Sequence, residues 1–369
     1  MKNTFVVLFC LFVFTACQDK ETVIIPSGKV KVIGFLASKK YLSDPDRFGV
    51  LKILERSEGY LDNGDRLHVK ILSVEGDPLK DFNDLVQTPD IIAVISFLGS
   101  KEMLSLKDAI QEAKIPLIIT TATHSKLSGI KYVSRICLSD RSEANVAAAY
   151  LRDELYIPEV TVIKDSKDVF SQELSALFVQ RYKQLGGKVG LTIDSAEFDQ
   201  ENEFISKLID EKVDTLYITT DAHKSKLLLE QLQKAKLEVK ILAYDGFISD
   251  FLSQYPYDAK MLNGIYVVDN YANDLKLLPK AAKIAKEISK EGLRIDTYDA
   301  LSYDAWMLLK QSLNACAGLE DECLNAHLRN TDSFEGAVDN LSMHEGDITR
   351  PVYVNEIEDA KMNMMVKVY

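Results

Sequence analysis

Apart from its first residues, the chain has no apolar run long enough to cross a membrane, which takes about 20 consecutive apolar residues. It also lacks positive charge: 56 acidic against 44 basic residues leave a net charge of −12. That excludes the basic face a nucleic-acid partner requires and adhesion to anionic lipid by charge. The motifs GxSxG, HExxH and GxxxxGK[ST] are missing. The histidines His68, His124, His223, His327 and His344 show no metal-ligand spacing, and no second Cys/His pair completes a zinc site. No nucleophile–base pair is visible. The expectation is a protein without catalysis, cofactor or metal.

The start of the chain is where an apolar run does occur. MKNTFVVLFCLFVFTACQDKE has a basic Lys2, an apolar stretch from Phe5 to Phe14 and small residues before Cys17. This is the layout of a secretory signal. Val13-Phe14-Thr15-Ala16-Cys17 resembles a bacterial lipobox, which implies a signal peptide over 1–16 and lipidation of Cys17, with 17–28 as a tether. The expected location is the cell envelope, facing the periplasm or exterior. Of the other cysteines, Cys10 falls in the signal and Cys137 reads as a small buried residue. Cys316 and Cys323 lie close together in NACAGLEDEC, where an oxidising compartment favours a disulfide; two unpaired thiols are the alternative.

The rest alternates between strand-like and helix-like runs: KVKVIGFL (29–36), a helix over 46–60, HVKILSVE (68–75), a helix over 77–87, DIIAVISF (90–97), a helix over 101–113 and IPLIIT (115–120). The pattern restarts after Asp140 and runs to KILAYD (240–245), with Gly186-Gly187 as a helix stop. Such alternation predicts an α/β fold of two doubly wound parallel-sheet lobes. After GIYVVDNY (264–271), helices over 277–291, 298–315 and 320–330 lead into terminal hairpins, so the chain crosses back between lobes. The expected division is 29–139 plus 270–340 for lobe 1 and 140–269 plus 341–369 for lobe 2.

The stretch IPLIITTATHS (115–125) poses the functional question, because an apolar strand ends in a cluster of hydroxyls with one imidazole. In open α/β sheets ligands bind beyond the carboxyl ends of strands. Those ends carry Ser100, Thr121 and Thr123 in the first half and Asp140, Asp221 and Asp245 toward the second. Hydroxyls near a helix N-terminus suit a carboxylate, and a facing carboxylate suits an ammonium group, so together they would grip a zwitterion. Taken singly, Ser100 and Asp140 also read as helix N-caps and Asp245-Gly246 as a turn.

In order and spacing, NGDRLHVKILSVEGDP (63–78), ISFLGS (95–100), IPLIITTATHSKL (115–127), YVSRICLSDRSEAN (132–145), AYDGF (243–247), DALSYDAWMLL (299–309), FEGAVDNLSM (334–343) and RPVYVNEI (350–357) resemble the leucine/isoleucine/valine-binding family of type I periplasmic binding proteins, the solute receptors of ABC transporters. The resemblance implies two lobes joined by a three-crossing hinge, closing on a small solute and delivering it to an ABC permease as a monomer. It implies that Ser100 binds an amino-acid carboxylate, that Thr121 and Thr123 contact the ligand, that Asp140 stands at the first crossing and that Asp245 receives the ammonium. The chain departs from the pattern in places. Phe170 stands where the family carries an aromatic but lacks a phenol hydroxyl, and Asp221-Ala222 stands where tyrosine is common. LASKKYLSDPDRFG (36–49) replaces the glycine-rich first loop. Asp221, with Lys39 or Lys40, suits a polar ligand better than leucine. The rival readings are a sensor or activator of a cell-envelope protein, and an enzyme using the interlobe cleft.

Overall fold

The computed structural model describes residues 28–39, 49–290, 295–317 and 321–369. Cys17, the expected signal segment and Lys40 of the first loop lie outside them. In chain order, β1 (Val30–Ser38), α1 (Gly49–Glu58), β2 (Arg66–Val74), α2 (Pro78–Val86), β3 (Ile91–Phe97), α3 (Ser100–Ser105), α4 (Lys107–Ala113), β4 (Leu117–Ile119) and β5 (Val133–Arg135) begin the first lobe. The chain then crosses to α5 (Asp140–Ala149), β6 (Glu159–Lys164), α6 (Val169–Gln184), β7 (Lys188–Asp194), α7 (Glu201–Asp210), β8 (Thr215–Ile218), α8 (Ala222–Ala235), β9 (Lys240–Ala243), α9 (Phe247–Gln254) and β10 (Tyr266–Asp269). It returns through α10 (Pro279–Lys290), α11 (Thr297–Ala315), α12 (Asp321–Arg329), β11 (Thr331–Glu335), β12 (Asn340–His344) and β13 (Asp347–Thr349), and ends in β14 (Val352–Glu358) and β15 (Lys361–Val368).

Strand pairing gives two sheets, ordered β11-β12-β13-β5-β4-β3-β1-β2 and β15-β14-β10-β9-β8-β6-β7. Their centres are parallel, while β11–β12–β13 and the β14–β15 hairpin add antiparallel edges. The central strands are buried apolar runs, as expected where helices cover both faces; β4 is buried throughout. Helix starts follow local chemistry. Asp77 caps α2 with Pro78 in its first turn, Asp168 caps α6 and Asp296 caps α11. Gly186, at φ 77°, takes the left-handed conformation that ends α6.

Three expectations need correction. The third crossing does not fall at 340/341: β12 and β13 pair within the first sheet, β13 running parallel to β5, so the chain leaves lobe 1 between Thr349 and Val352. The helix over 101–113 is two helices, α3 and α4, meeting at Leu106. Helix α9 was not anticipated, because Asp245-Gly246 reads as a turn in sequence. Here Gly246, at φ 75°, starts the helix, and a Cβ at that position would run into the Tyr298 hydroxyl.

Side chains lace the crossings together. The Leu138 N–H of the first crossing donates to Asn270 Oδ1 at 3.0 Å. Arg350, at the third crossing, donates to the carbonyls of Ile136 (3.2 Å) and Asn270 (2.9 Å) and pairs with buried Asp304 at 3.1 Å. The structure joins Cys316 and Cys323 in a disulfide, next to α12. No described helix is long and apolar enough to cross a membrane.

Candidate functional site

The hydroxyl stretch after β4 is held from below by Arg135, whose side chain is 2% exposed. Its guanidinium donates to the carbonyls of Thr123 (2.9 Å) and His124 (3.0 Å), to Ser128 Oγ and to Asp347. Thr121 Oγ1 donates to the carbonyl of Leu98 at 2.9 Å, and Ser100 Oγ, at the start of α3, accepts the His124 N–H at 3.3 Å. Both hydroxyls therefore also shape the loop. Thr123 is buried, its carbonyl accepts the Asp140 N–H at 2.9 Å, and its hydroxyl hydrogen-bonds the Asp140 carboxyl.

Asp140 opens α5 and is fully buried, its carboxyl hydrogen-bonded to Glu173 and to the Thr123 hydroxyl. One helical turn on, Glu143 is also fully buried. Its Oε1 accepts the Asp245 N–H at 3.1 Å, and its carboxyl hydrogen-bonds that of Asp245. Asp245 Oδ2 accepts from Asn270 Nδ2 at 3.0 Å. Asp269 below is saturated by the N–H groups of Gly246, Asn270 and Tyr271. The buried Tyr217 hydroxyl, unpartnered, stands in the field of Glu143, Asp140 and Asp245.

So much carboxylate in a desolvated junction has a predictable consequence, since burial disfavours the charged form and like charges add to it. Burial first, then Asp269, pushes Asp245 up to about 7, and burial pushes Asp269 up to about 6. Asp140 and Glu143 are held well above the carboxylate range, by burial first, then by Glu173 for Asp140 and by Asp245 for Glu143.

Glu173, on α6 of the second lobe, reaches across to the first. Its carboxylate accepts the Ser125 N–H (2.9 Å) and the Ser125 hydroxyl (2.5 Å) and lies 2.8 Å from His124 Nδ1. Burial raises Glu173, but hydrogen bonds from Asp140 and Ser125 outweigh it and hold the group below its usual range. Burial lowers His124 more than Glu173 raises it.

Of the predicted residues, Thr123, Asp140 and Asp245 are thus brought to one junction, with Ser100 and Thr121 on the loop beside it. Phe170, in the first turn of α6, packs edge-on against Tyr244 with ring centres 5.2 Å apart, next in chain to Asp245. Asp221 is exposed, and its carboxylate caps α8 by accepting the Lys224 N–H at 2.9 Å. Lys39 pairs with Glu75 at 3.4 Å. Sequence reasoning missed Glu143, Glu173, Tyr217 and Asn270. Helical spacing was the available signal: Glu143 follows Asp140, and Glu173 follows Phe170, by three residues, which places each pair on one face. Among the described residues the one grouping with metal-ligand geometry is Cys316, Cys323 and His327, where the disulfide engages both sulfurs. A cavity of about 600 Å³ beside the crossings, lined by Cys137, Asn145, Tyr150, Val354 and Val366, contains none of the predicted ligand residues.

Comparison with known proteins places this geometry. The sequence pattern of the periplasmic binding protein family matches residues 79–361. No curated protein sequence matches significantly. Among solved structures, a leucine binding protein, LivK, from Thermotoga maritima superposes with a TM-score of 0.80 at 21% identity, covering 92% of this chain and 98% of its own. The branched-chain amino acid transporter substrate binding protein LivJ from Streptococcus pneumoniae, in complex with isoleucine, gives 0.78 at 18% identity, with 92% and 100% covered. A solute binding protein of an ABC transporter from Rhodopseudomonas palustris, in complex with 3,4-dihydroxybenzoic acid, gives 0.76 at 16%, with 92% and 97% covered. The chain is a member of the periplasmic binding protein family.

Proposed function

We propose that the protein is a lipid-anchored receptor, held through Cys17, that binds a small ammonium-bearing solute such as an amino acid between its lobes and delivers it to an ABC permease. It performs no chemistry; closure around the solute is what the permease would read. One observation carries the reading: the carboxyls of Asp140, Glu143 and Asp245 meet at the junction of the crossings, Asp140 and Glu143 fully buried, and among the described residues none of the three forms an ion pair with a cation. Arg135 and Arg350, which stand at the crossings, are engaged by Asp347, Asp304 and backbone carbonyls. An ammonium group is the missing counter-charge. Amino acids in the relatives LivK and LivJ are consistent with this, while dihydroxybenzoic acid in another relative leaves the solute class open on fold alone.

A second reading, a sensor or activator of a cell-envelope protein, draws on the Glu173 contact, which engages lobe-1 groups a solute would otherwise meet. Thermal unfolding separates the two. The chain from Gln18, stripped of solute by unfolding and refolding, is heated with a panel of amines, amino acids and aromatic acids. A ligand at 100 times its dissociation constant stabilises by about 2.7 kcal/mol. A selective rise in melting temperature supports the receptor; no rise across the panel favours the partner-protein reading.

A further inference from the structure

Two sets of contacts span the lobes, and both are made by groups of the chain itself. Glu173, on α6 of the second lobe, accepts the Ser125 N–H at 2.9 Å and the Ser125 hydroxyl at 2.5 Å, and lies 2.8 Å from His124 Nδ1. From α11 of the first lobe, the Tyr298 hydroxyl donates to Asp250 Oδ1 on α9 of the second at 2.9 Å. None of these residues belongs to a crossing, so the contacts are not a by-product of chain connection.

Glu173 is also fixed on its own side. Its carboxylate hydrogen-bonds Asp140 at the start of α5, which in turn bonds the Thr123 hydroxyl. A hydrogen bond between two carboxyl groups needs one proton. Burial first, then Glu173, holds Asp140 well above the carboxylate range, so Asp140 keeps it. Glu173, despite its own burial, is held below its range by Asp140 and Ser125. It therefore meets Ser125 as a carboxylate, the form that makes the stronger hydrogen bonds. Its side chain is 17% exposed, which shields the contact from the screening that weakens surface pairs. A conformational equilibrium shifts by the difference in contacts between its two states. Parting the lobes would return Glu173 and the Ser125 donors to water, so these groups favour the closed arrangement whatever else the cleft holds.

We propose that Glu173 is a built-in latch, which stands in for a solute carboxylate on the lobe-1 loop and holds the lobes closed without solute. The proposal rests on hinge closure in the receptor reading above. It adds that a carboxylate-bearing solute has to displace Glu173 to reach the Ser125 donors.

Small-angle X-ray scattering of the chain from Gln18, refolded free of solute, tests this against Glu173→Gln. The substitution keeps the side chain's size but turns one of two accepting oxygens into an NH2 donor, which then faces a Ser125 donor. The expected result is an unsubstituted protein whose radius of gyration equals that calculated from the structure, and a clearly larger radius for Glu173→Gln. A Glu173→Gln radius no larger than that of the unsubstituted protein overturns the latch, and so does an unsubstituted protein already wider than the structure. If Glu173→Gln has lost its fold by circular dichroism, Ser125→Ala, which removes the hydroxyl from the lobe-1 side, decides in its place: a larger radius supports the latch and an unchanged one overturns it. No solute enters the measurement, so the latch can fail while a solute still raises the melting temperature, and it can hold while none in the panel does.

Discussion

Asp245 offers a quantitative handle on the buried acid junction. Its carboxyl, pushed up to about 7 by burial and then by Asp269, titrates near about 3.9 in an unfolded chain. Between those values the native state holds a proton that the unfolded state has released. Unfolding free energy therefore falls as pH rises, by at most about 1.4 kcal/mol per pH unit for one proton. The contribution is complete below about pH 4 and is lost as pH rises through about 7. Residual exposure of Asp245 makes this slope an upper limit, and Asp269, raised to about 6, adds a slope of the same sign. Asp245→Asn keeps an oxygen to accept from Asn270 and removes the titration. Urea unfolding of both proteins at about pH 5, 6 and 7 should show a clearly steeper loss of stability in the unsubstituted protein. Parallel stability–pH lines would refute the claim that Asp245 is a desolvated carboxyl carrying a proton.

Other consequences follow from named contacts. Arg135→Ala should cost about 3 kcal/mol in chemical denaturation, because it strands the carbonyls of Thr123 and His124 and unpairs Asp347; a loss under about 1 kcal/mol would contradict its role beneath the loop. Replacing both Cys316 and Cys323 by Ser opens a bridge of sequence separation 7 and should lower stability by about 2 to 3 kcal/mol; an unchanged melting curve would count against the bridge. Glu173→Ala should speed hydrogen exchange at the Ser125 amide, and unchanged protection there would mean that Glu173 does not hold the lobes together.

Much of the fold was legible in the sequence because its strands are buried on both faces and its helices are amphipathic, so alternating periods mark each element. DIIAVISF and β3 agree to within a residue. The third crossing was not legible, because DIT pairs in space with β5, more than 200 positions earlier, and carries NLSMH into the first sheet, and local pattern holds no information about such pairing. Residue type at strand ends picked out Thr123, Asp140 and Asp245, which fold together at one junction. It also pointed to Asp221, where the same chemistry serves a helix cap instead. Glu143 and Glu173 went unread because a glutamate on a helix usually faces water, and only the packing of α5 against α6 shows that these two do not.

The most direct test of the account is the affinity of Asp245→Ala for whichever solute most raises the melting temperature of the unsubstituted protein, measured by calorimetric titration. Loss of one charge-assisted contact, worth about 1.5 to 3 kcal/mol, predicts binding weakened about tenfold to 150-fold with the fold intact. An affinity equal to that of the unsubstituted protein would mean that the solute is held somewhere other than the acidic junction between the lobes.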